Sequence, residues 1–495
     1  MYPKAQILYF ILVYFITIVK QKRKESLTMS KENKKMELLG SAPVWRALLA
    51  MGLPTMIGMM INALYNLVDA YFVGGLGTSQ MGAISVAFPI GQIVVGLGLL
   101  FGNGAASYIS RLLGKGDKNT ADQAASTALY SSIAVGAVVI VCTVVFLRPV
   151  LELLGATESI LPYAEEYARI YVVFSLFNVF NVTMNNIVTS EGAAKTTMLT
   201  LLAGAVLNIL LDPIFIYILD LGVAGAAAAT AVSQMLSSVV YLGYILRKKS
   251  IFSFRVKECC FSREIISEIL KIGIPTMVFQ LLTSLSISLI NFQAKEYGDS
   301  VIAGMGPVTR IISVGSLMVF GFIKGFQPIA GYSYGAKKYG RLHQAIRLSI
   351  LWSTVFCIIY GGITALFSTA LIALFTKGDL EMIQIGGQAL RANGISFLLF
   401  GFYTVYSSLF LALGKGKEGF ILGSCRQGIC FVPIILILPL FTGINGILYA
   451  QPAADVISAV VAVFMALRLH RELHRMEDHV TMPLSNHAAH LDREI

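Results

Sequence analysis

Two acids lie inside otherwise apolar stretches of this chain. Asp69 sits in NALYNLVD, residues 62–69, and Asp212 in LNILLDPIFIY, residues 207–217. On a helix, Asn62, Asn66 and Asp69 at i, i+4 and i+7 share one face, as do Asn208 and Asp212 at i and i+4. Asn178, Asn181 and Asn185 form another such face. Tyr167 opens the apolar stretch that holds them, and Thr230 interrupts GAAAATAV. Carboxylates among amide and hydroxyl oxygens can bind a proton, or a sodium ion where enough oxygens converge. An ionisable side chain at membrane depth marks an ion or substrate path by default. Each asparagine or threonine taken singly also fits an ordinary interhelical hydrogen bond. Pro213, beside Asp212, removes a backbone hydrogen bond and crowds the carbonyl of Ile209, which can bend the helix and free an oxygen near the acid. A static kink is the plainer reading of the same proline.

The elements that must hold these residues are membrane helices. Of the 495 residues, 56% are hydrophobic and only 13% are charged, where a soluble domain carries about a quarter charged residues. Apolar runs of spanning length recur from Ala47 to Leu467. At about 20 residues per crossing they number about twelve. The fold class expected is an all-α polytopic membrane protein, since helices satisfy their own backbone groups in lipid. The partner expected first is the bilayer itself.

The net charge of +11 does not point to nucleic acid, because its distribution alternates. One set of links carries Arg111, Lys115 and Lys118, then Lys195, then Arg247 to Arg263, then Lys337, Lys338, Arg341 and Arg347, then Lys415 and Lys417. The alternate links hold Arg148, Lys295 and Lys377 beside seven acids. This positive-inside pattern places both termini in the cytoplasm. Six cysteines form no C-x-x-C pair, and Cys259 and Cys260 fall in a cytoplasmic link, so no structural disulfide is expected. Residues 1–28 hold a short apolar run followed by KQKRKE, unlike a signal peptide, and Met29 begins a more ordinary start. They read as an upstream mis-start or as a membrane-surface helix.

The chain is written twice. GLPTM at 52–56 matches GIPTM at 273–277, an offset of 221 (273 − 52 = 221). The same offset pairs Gly77 with Gly298, Gly104 with Gly325, Gly114 with Gly335, Gln123 with Gln344, and Gly222 and Gly225 with Gly443 and Gly446. Two parallel six-helix repeats follow, an N-lobe over 38–246 and a C-lobe over 264–473. A cytoplasmic link spans 247–263, an N-terminal extension 1–37 and a cytoplasmic tail 474–495. Two such bundles around a cavity are an alternating-access architecture. The halves are chemically unequal. Ile290 stands where Asp69 stands, and the second half's intramembrane charges are Arg310, Lys324, Arg391 and Arg426 with one acid, Asp455. Arg426 and Asp455 are candidates for a pair. A basic C-lobe cavity would suit a phosphate headgroup.

No P-loop occurs, no catalytic constellation stands out, and the chain reads as a non-enzyme. His470-Arg-Glu-Leu-His474 departs from the zinc motif H-E-x-x-H because its Glu is misplaced. No cofactor or metal is expected beyond a coupling ion.

GLPTM at 52–56, NLVDAYFVGGLG at 66–77, LNILLDPIFIY at 207–217 and GVAGAAAAT at 222–230 together resemble the multidrug and toxic compound extrusion (MATE) family, in its DinF-like and MepA-like bacterial branch. The resemblance runs from about Leu38 to Leu473. It implies a twelve-helix antiporter of a bacterial cytoplasmic membrane, exchanging H⁺ or Na⁺ for amphiphilic, often cationic drugs. It implies a cation site at Asp69, Tyr167, Asn208, Asp212 and Thr230, with Na⁺ ligands at Asp69, Asn208, Asp212 and Thr230. Cavity amides are implied at Asn62, Asn181 and Asn185, with Asn66 on the face of Asn62. Pro54 and Pro213 are the expected bends. The C-lobe acids of the NorM-like branch are missing. A flippase for a lipid-linked saccharide and a membrane-embedded lipid enzyme are the alternatives. No interface signal stands out, and a monomer is expected.

Overall fold

An apolar run in lipid has no solvent to satisfy its backbone, so each run closes its hydrogen bonds within a helix. A computed structural model describes residues 33–297, 299–375 and 380–481. The expectation for residues 1–28 lies outside them. Among the described residues, twelve helices are long and apolar enough to cross a membrane. They are α1 (Val44–Gly74), α2 (Ser79–Lys115), α3 (Lys118–Val145), α4 (Leu161–Ser190), α5 (Ala194–Ile218), α6 (Gly222–Leu246), α7 (Arg263–Lys295), α8 (Gly304–Gly335), α9 (Tyr339–Leu366), α10 (Leu380–Ala412), α11 (Gly416–Thr442) and α12 (Ile444–Asp478). No strand occurs among the described residues. Short links reverse the chain at each end, so both ends of the described chain and the 247–262 link lie at one face. We call it the terminus-bearing face.

Packing repeats in the two halves. Helix α2 packs on α4 as α8 packs on α10, and α1 on α5 as α7 on α11. Across the lobes α2 meets α7 as α8 meets α1, and α2 meets α8. The repeated glycines explain this seam. A Cβ on Gly104 would fall on the Ile269 carbonyl, and one on its counterpart Gly325 would lie 2.5 Å from the Gly52 Cα. Nearer the terminus-bearing face, Gly114 lies against the carbonyl of Tyr332 and Gly335 against that of Arg111. Lipid tails are as apolar as leucine, so helices associate in membranes through such close backbone approach rather than through hydrophobic burial.

The terminus-bearing face is tied further by polar contacts. Arg111 bonds Glu268 across the lobes at 2.7 Å. The helical segment 33–40 ends against the C-lobe, where Arg341 donates to the carbonyls of Leu38, Leu39 and Ala42 and Lys338 to that of Gly40. Its Lys35 reaches the N-lobe, bonding fully buried Glu191 at 3.0 Å. Glu191 also accepts from Tyr244, Ser250 and the Ile251 amide. Glu191 was not among the acids expected inside the bundle. It ends α4, and four donors satisfy its charge. The last helix continues to Thr481, so residues 474–481, expected as tail, are helical. The chain had no stop signal there, and a neighbouring helix supports the extra turns.

Candidate functional site

The two acids of the N-lobe lie near one another. Helix α1 supplies Asp69 near its end, α4 supplies Tyr167 in its second turn, and α5 supplies Asn208 and Asp212, all toward the face opposite the termini. Asp212 is fully buried and Asn208 is 2% exposed. The Asn208 amide donates to Asp212 Oδ1 at 3.1 Å. Asp212 Oδ2, Asn208 Oδ1 and Asp69 Oδ1 are buried with no hydrogen-bond partner. Asp69 and Asp212 lie within electrostatic reach of each other and of Tyr65 and Tyr167. Tyr65 lies beside the side chains of Asn62 and Asn66, and the Asn66 amide donates to the Asn62 carbonyl at 2.7 Å. The Tyr167 ring stacks on Tyr171 at 5.7 Å. Neither acid has a cationic partner among the described residues. Buried polar atoms are normally satisfied, and three orphaned oxygens, two of them from carboxylates, are the donor set a small cation or protons would use.

Asp69, Tyr167, Asn208 and Asp212 therefore form one polar cluster, called the acid pocket below. Thr230 is half-buried on α6, and no hydrogen bond joins it to either acid among the described residues. Tyr65 and Tyr171 belong to the pocket but were not expected. Tyr65 lies one turn before Asp69, and that spacing is the signal that could have found it. Pro213 ends the α-helical part of α5, and Ile214–Ile218 continue as a π-helical turn. Proline's missing N–H makes that change of winding cheap. From this turn the Tyr217 hydroxyl donates to the Phe72 carbonyl of α1 at 2.5 Å, tying together the two helices that carry the acids. Pro54 lies inside an unbroken α1.

A second space lies between the lobes, a cavity of about 530 Å³. Phe88, Met59, Phe279 and Phe320 give it apolar walls, while Gln92, Asn103, Gln280, Gln427 and several hydroxyls give it hydrogen-bonding groups. The amides expected to line it sit elsewhere. Asn181 is saturated by α6, donating to Gln234 and accepting from Ser238 at 2.9 Å. Asn62 and Asn66 bond within α1. Asn185 donates to Tyr241 and accepts from Lys324 across the lobes. The cavity uses Asn186 and Asn103 instead. One residue along a helix turns a side chain by about 100°, so adjacent asparagines serve different partners.

The basic C-lobe cavity is corrected in part. Arg310 and Arg391 are exposed and do not line this cavity, whereas Lys324 and Arg426 do. Arg426 bonds Asp455 at 2.8 Å, and Asp455 also accepts from Ser396 and Gln451. The guanidinium lies 4.6 Å from the Phe400 ring centroid. Arg426 stands in a second π-helical turn, Cys425–Ile429, whose Gln427 carbonyl accepts from Ser286 at 2.6 Å. Replacing Asp455 by Ala would leave Arg426 unpaired at membrane depth and is expected to cost about 2.5–3.5 kcal/mol. Replacing both residues by Leu is expected to restore most of it. Thermal unfolding of the detergent-solubilised variants checks both values.

Comparison with known proteins gives consistent matches. The MatE family model matches residues 54–214 and 275–465. The multidrug export protein MepA of Staphylococcus aureus (strain MSSA476) is 30% identical over 442 residues, covering 87% of this chain and 95% of that protein. A structure described as the outward-facing conformation of a multidrug resistance MATE family transporter of the MOP superfamily superposes with a TM-score of 0.85 at 28% identity, covering 89% of this chain and 99% of that one. A MOP superfamily transporter from Pyrococcus furiosus, whose reversed pocket polarity is described as suggesting a different function, superposes at 0.84 with the same identity and coverage.

Proposed function

Since the chain belongs to the MatE family of membrane transporters and is no enzyme, we propose that it is a secondary active exporter of amphiphilic small molecules, exchanging them for H⁺ or Na⁺ by alternating access. The observation that carries this reading is the N-lobe pocket. Two carboxylates share a buried site with no cationic side chain paired to them among the described residues, and a second charge in a low-dielectric site is costly without a counter-ion. An entering proton or sodium ion supplies that counter-charge. The membrane potential adds about 2.3 kcal/mol per elementary charge per 100 mV.

Helix α1 links the ion to the cargo. It carries Gly52 in the inter-lobe seam, Met59 in the cavity wall and Asp69 in the acid pocket, with Pro54 between the first two. Neutralising Asp69 changes what holds the far end of α1, and the proline lets the helix respond. With the seam closed at the terminus-bearing face, which the basic links place in the cytoplasm, the cavity would serve release to the outside. The cation then leaves after the lobes rock.

The cavity's mixed aromatic, methionine and amide lining suits varied amphiphiles. One observation favours a second reading. Lys324 is the cavity's charged group without an acidic partner among the described residues, and it would favour an anionic cargo such as a lipid phosphate. Reconstituted protein separates these. Proteoliposomes loaded with a lipophilic cationic dye are expected to extrude it under an imposed pH or sodium gradient, and the effective gradient names the ion. Movement of anionic lipid alone, with no dye flux under either gradient, would replace the first reading with the second.

A further inference from the structure

We propose that the terminus-bearing face of the C-lobe carries a transition-metal site formed by His343, His470 and His474, with the Glu477 carboxylate beside two of the rings, taking Zn²⁺ or a similar divalent first-row ion. His470, His474 and Glu477 fall at i, i+4 and i+7 on the extended end of α12, which sets them on one face. His343 reaches them from the first turns of α9. One nitrogen from each histidine lies within 4.8 Å of those of the other two. The ring centroids are 4.5 Å, 5.0 Å and 5.1 Å apart. Glu477 places a carboxylate oxygen 3.5 Å from His343 Nδ1 and 3.8 Å from His474 Nδ1. His343 Nε2 is buried with no hydrogen-bond partner, which leaves it free to ligate.

Three imidazoles are an all-nitrogen set. Imidazole suits zinc, copper and nickel, whereas calcium and magnesium take oxygen cages. A tetrahedral zinc ion with Zn–N of about 2.0–2.1 Å sets its ligand atoms about 3.3–3.4 Å apart. His470 Nε2 and His474 Nε2 stand 3.1 Å apart, close to that spacing. The position matching His343 in the first repeat is Asp122, whose carboxylate instead accepts the Ser253 amide at 2.7 Å. The cluster is therefore particular to the C-lobe. An ion there would staple α12 to α9, outside the cavity and the acid pocket.

The test uses full-length protein purified through a histidine-free affinity tag. Titration with Zn²⁺ is expected to show one equivalent bound with a micromolar or tighter Kd. Co²⁺ in its place is expected to show the intense visible absorption of a tetrahedral ion. The triple variant His343→Ala/His470→Ala/His474→Ala is expected to lose the cobalt band and at least about tenfold in affinity, a loss ligand-shell changes commonly reach. Its elution profile and transport should match wild type. If the triple variant aggregates, His474→Gln alone is expected to abolish the tetrahedral band. Absence of stoichiometric binding by wild type, or equal binding by the variants, overturns the site.

Discussion

Asp212→Asn is expected to reduce drug extrusion to the level of empty liposomes while the protein still folds and inserts. Asparagine keeps the shape and can keep the acceptor that the Asn208 amide uses at 3.1 Å. It removes the charge that a coupling ion would neutralise, and with it the voltage-linked drive of about 2.3 kcal/mol per charge per 100 mV. Asp69→Asn is expected to do the same from α1. Stability should hold or rise, because each change deletes a buried acid with an unpartnered oxygen. Dye efflux and gel-filtration profiles of both variants check this. Wild-type efflux from either variant would remove that acid from the coupling site.

Gly325→Val should act at the other end of the machine. Its Cβ would lie 2.5 Å from the Gly52 Cα, and no flexible side chain is available to yield. Overpacking of this kind costs about 1–3 kcal/mol, which shifts a two-state balance about 5–150-fold. The closed seam would open at the terminus-bearing face. Gly104→Val, against the Ile269 carbonyl, should match it. Ser110 is 1% exposed and packs toward Gly331 of α8. With the six native cysteines replaced, the thiol of Ser110→Cys should be shielded in the parent and labelled from that face in either glycine variant, with export lost. Shielding and normal export in both variants would show that the seam need not close for transport.

Much of the architecture was legible because membrane helices write themselves in composition. Apolar length alone sets each crossing, and a constant offset of 221 residues marks the repeat. The seam was half legible. The repeated glycines were visible at 52/273, 104/325 and 114/335, but their purpose was not, because a glycine spared for close approach looks like any other. The acid pocket was legible as Asp69, Asn208 and Asp212, since charges at membrane depth are costly and stand out. Tyr65 and Tyr171 were hidden because tyrosines are ordinary in such helices. The cavity amides were the hardest part, and Asn185 and Asn186 show why. Helical phase sends one to Tyr241 and Lys324 and the other to the cavity.

The sequence by itself determined the twelve crossings, the doubled plan and the unequal placing of acid and base between the halves, because these depend on hydrophobic length and on residue type. Only the tertiary structure decided which oxygens are left without partners, which face of each helix meets the other lobe, and that His343 joins His470 and His474. Those depend on the rotation and depth of helices relative to one another. Contacts among residues far apart in the chain set both, and local sequence carries no direct record of them.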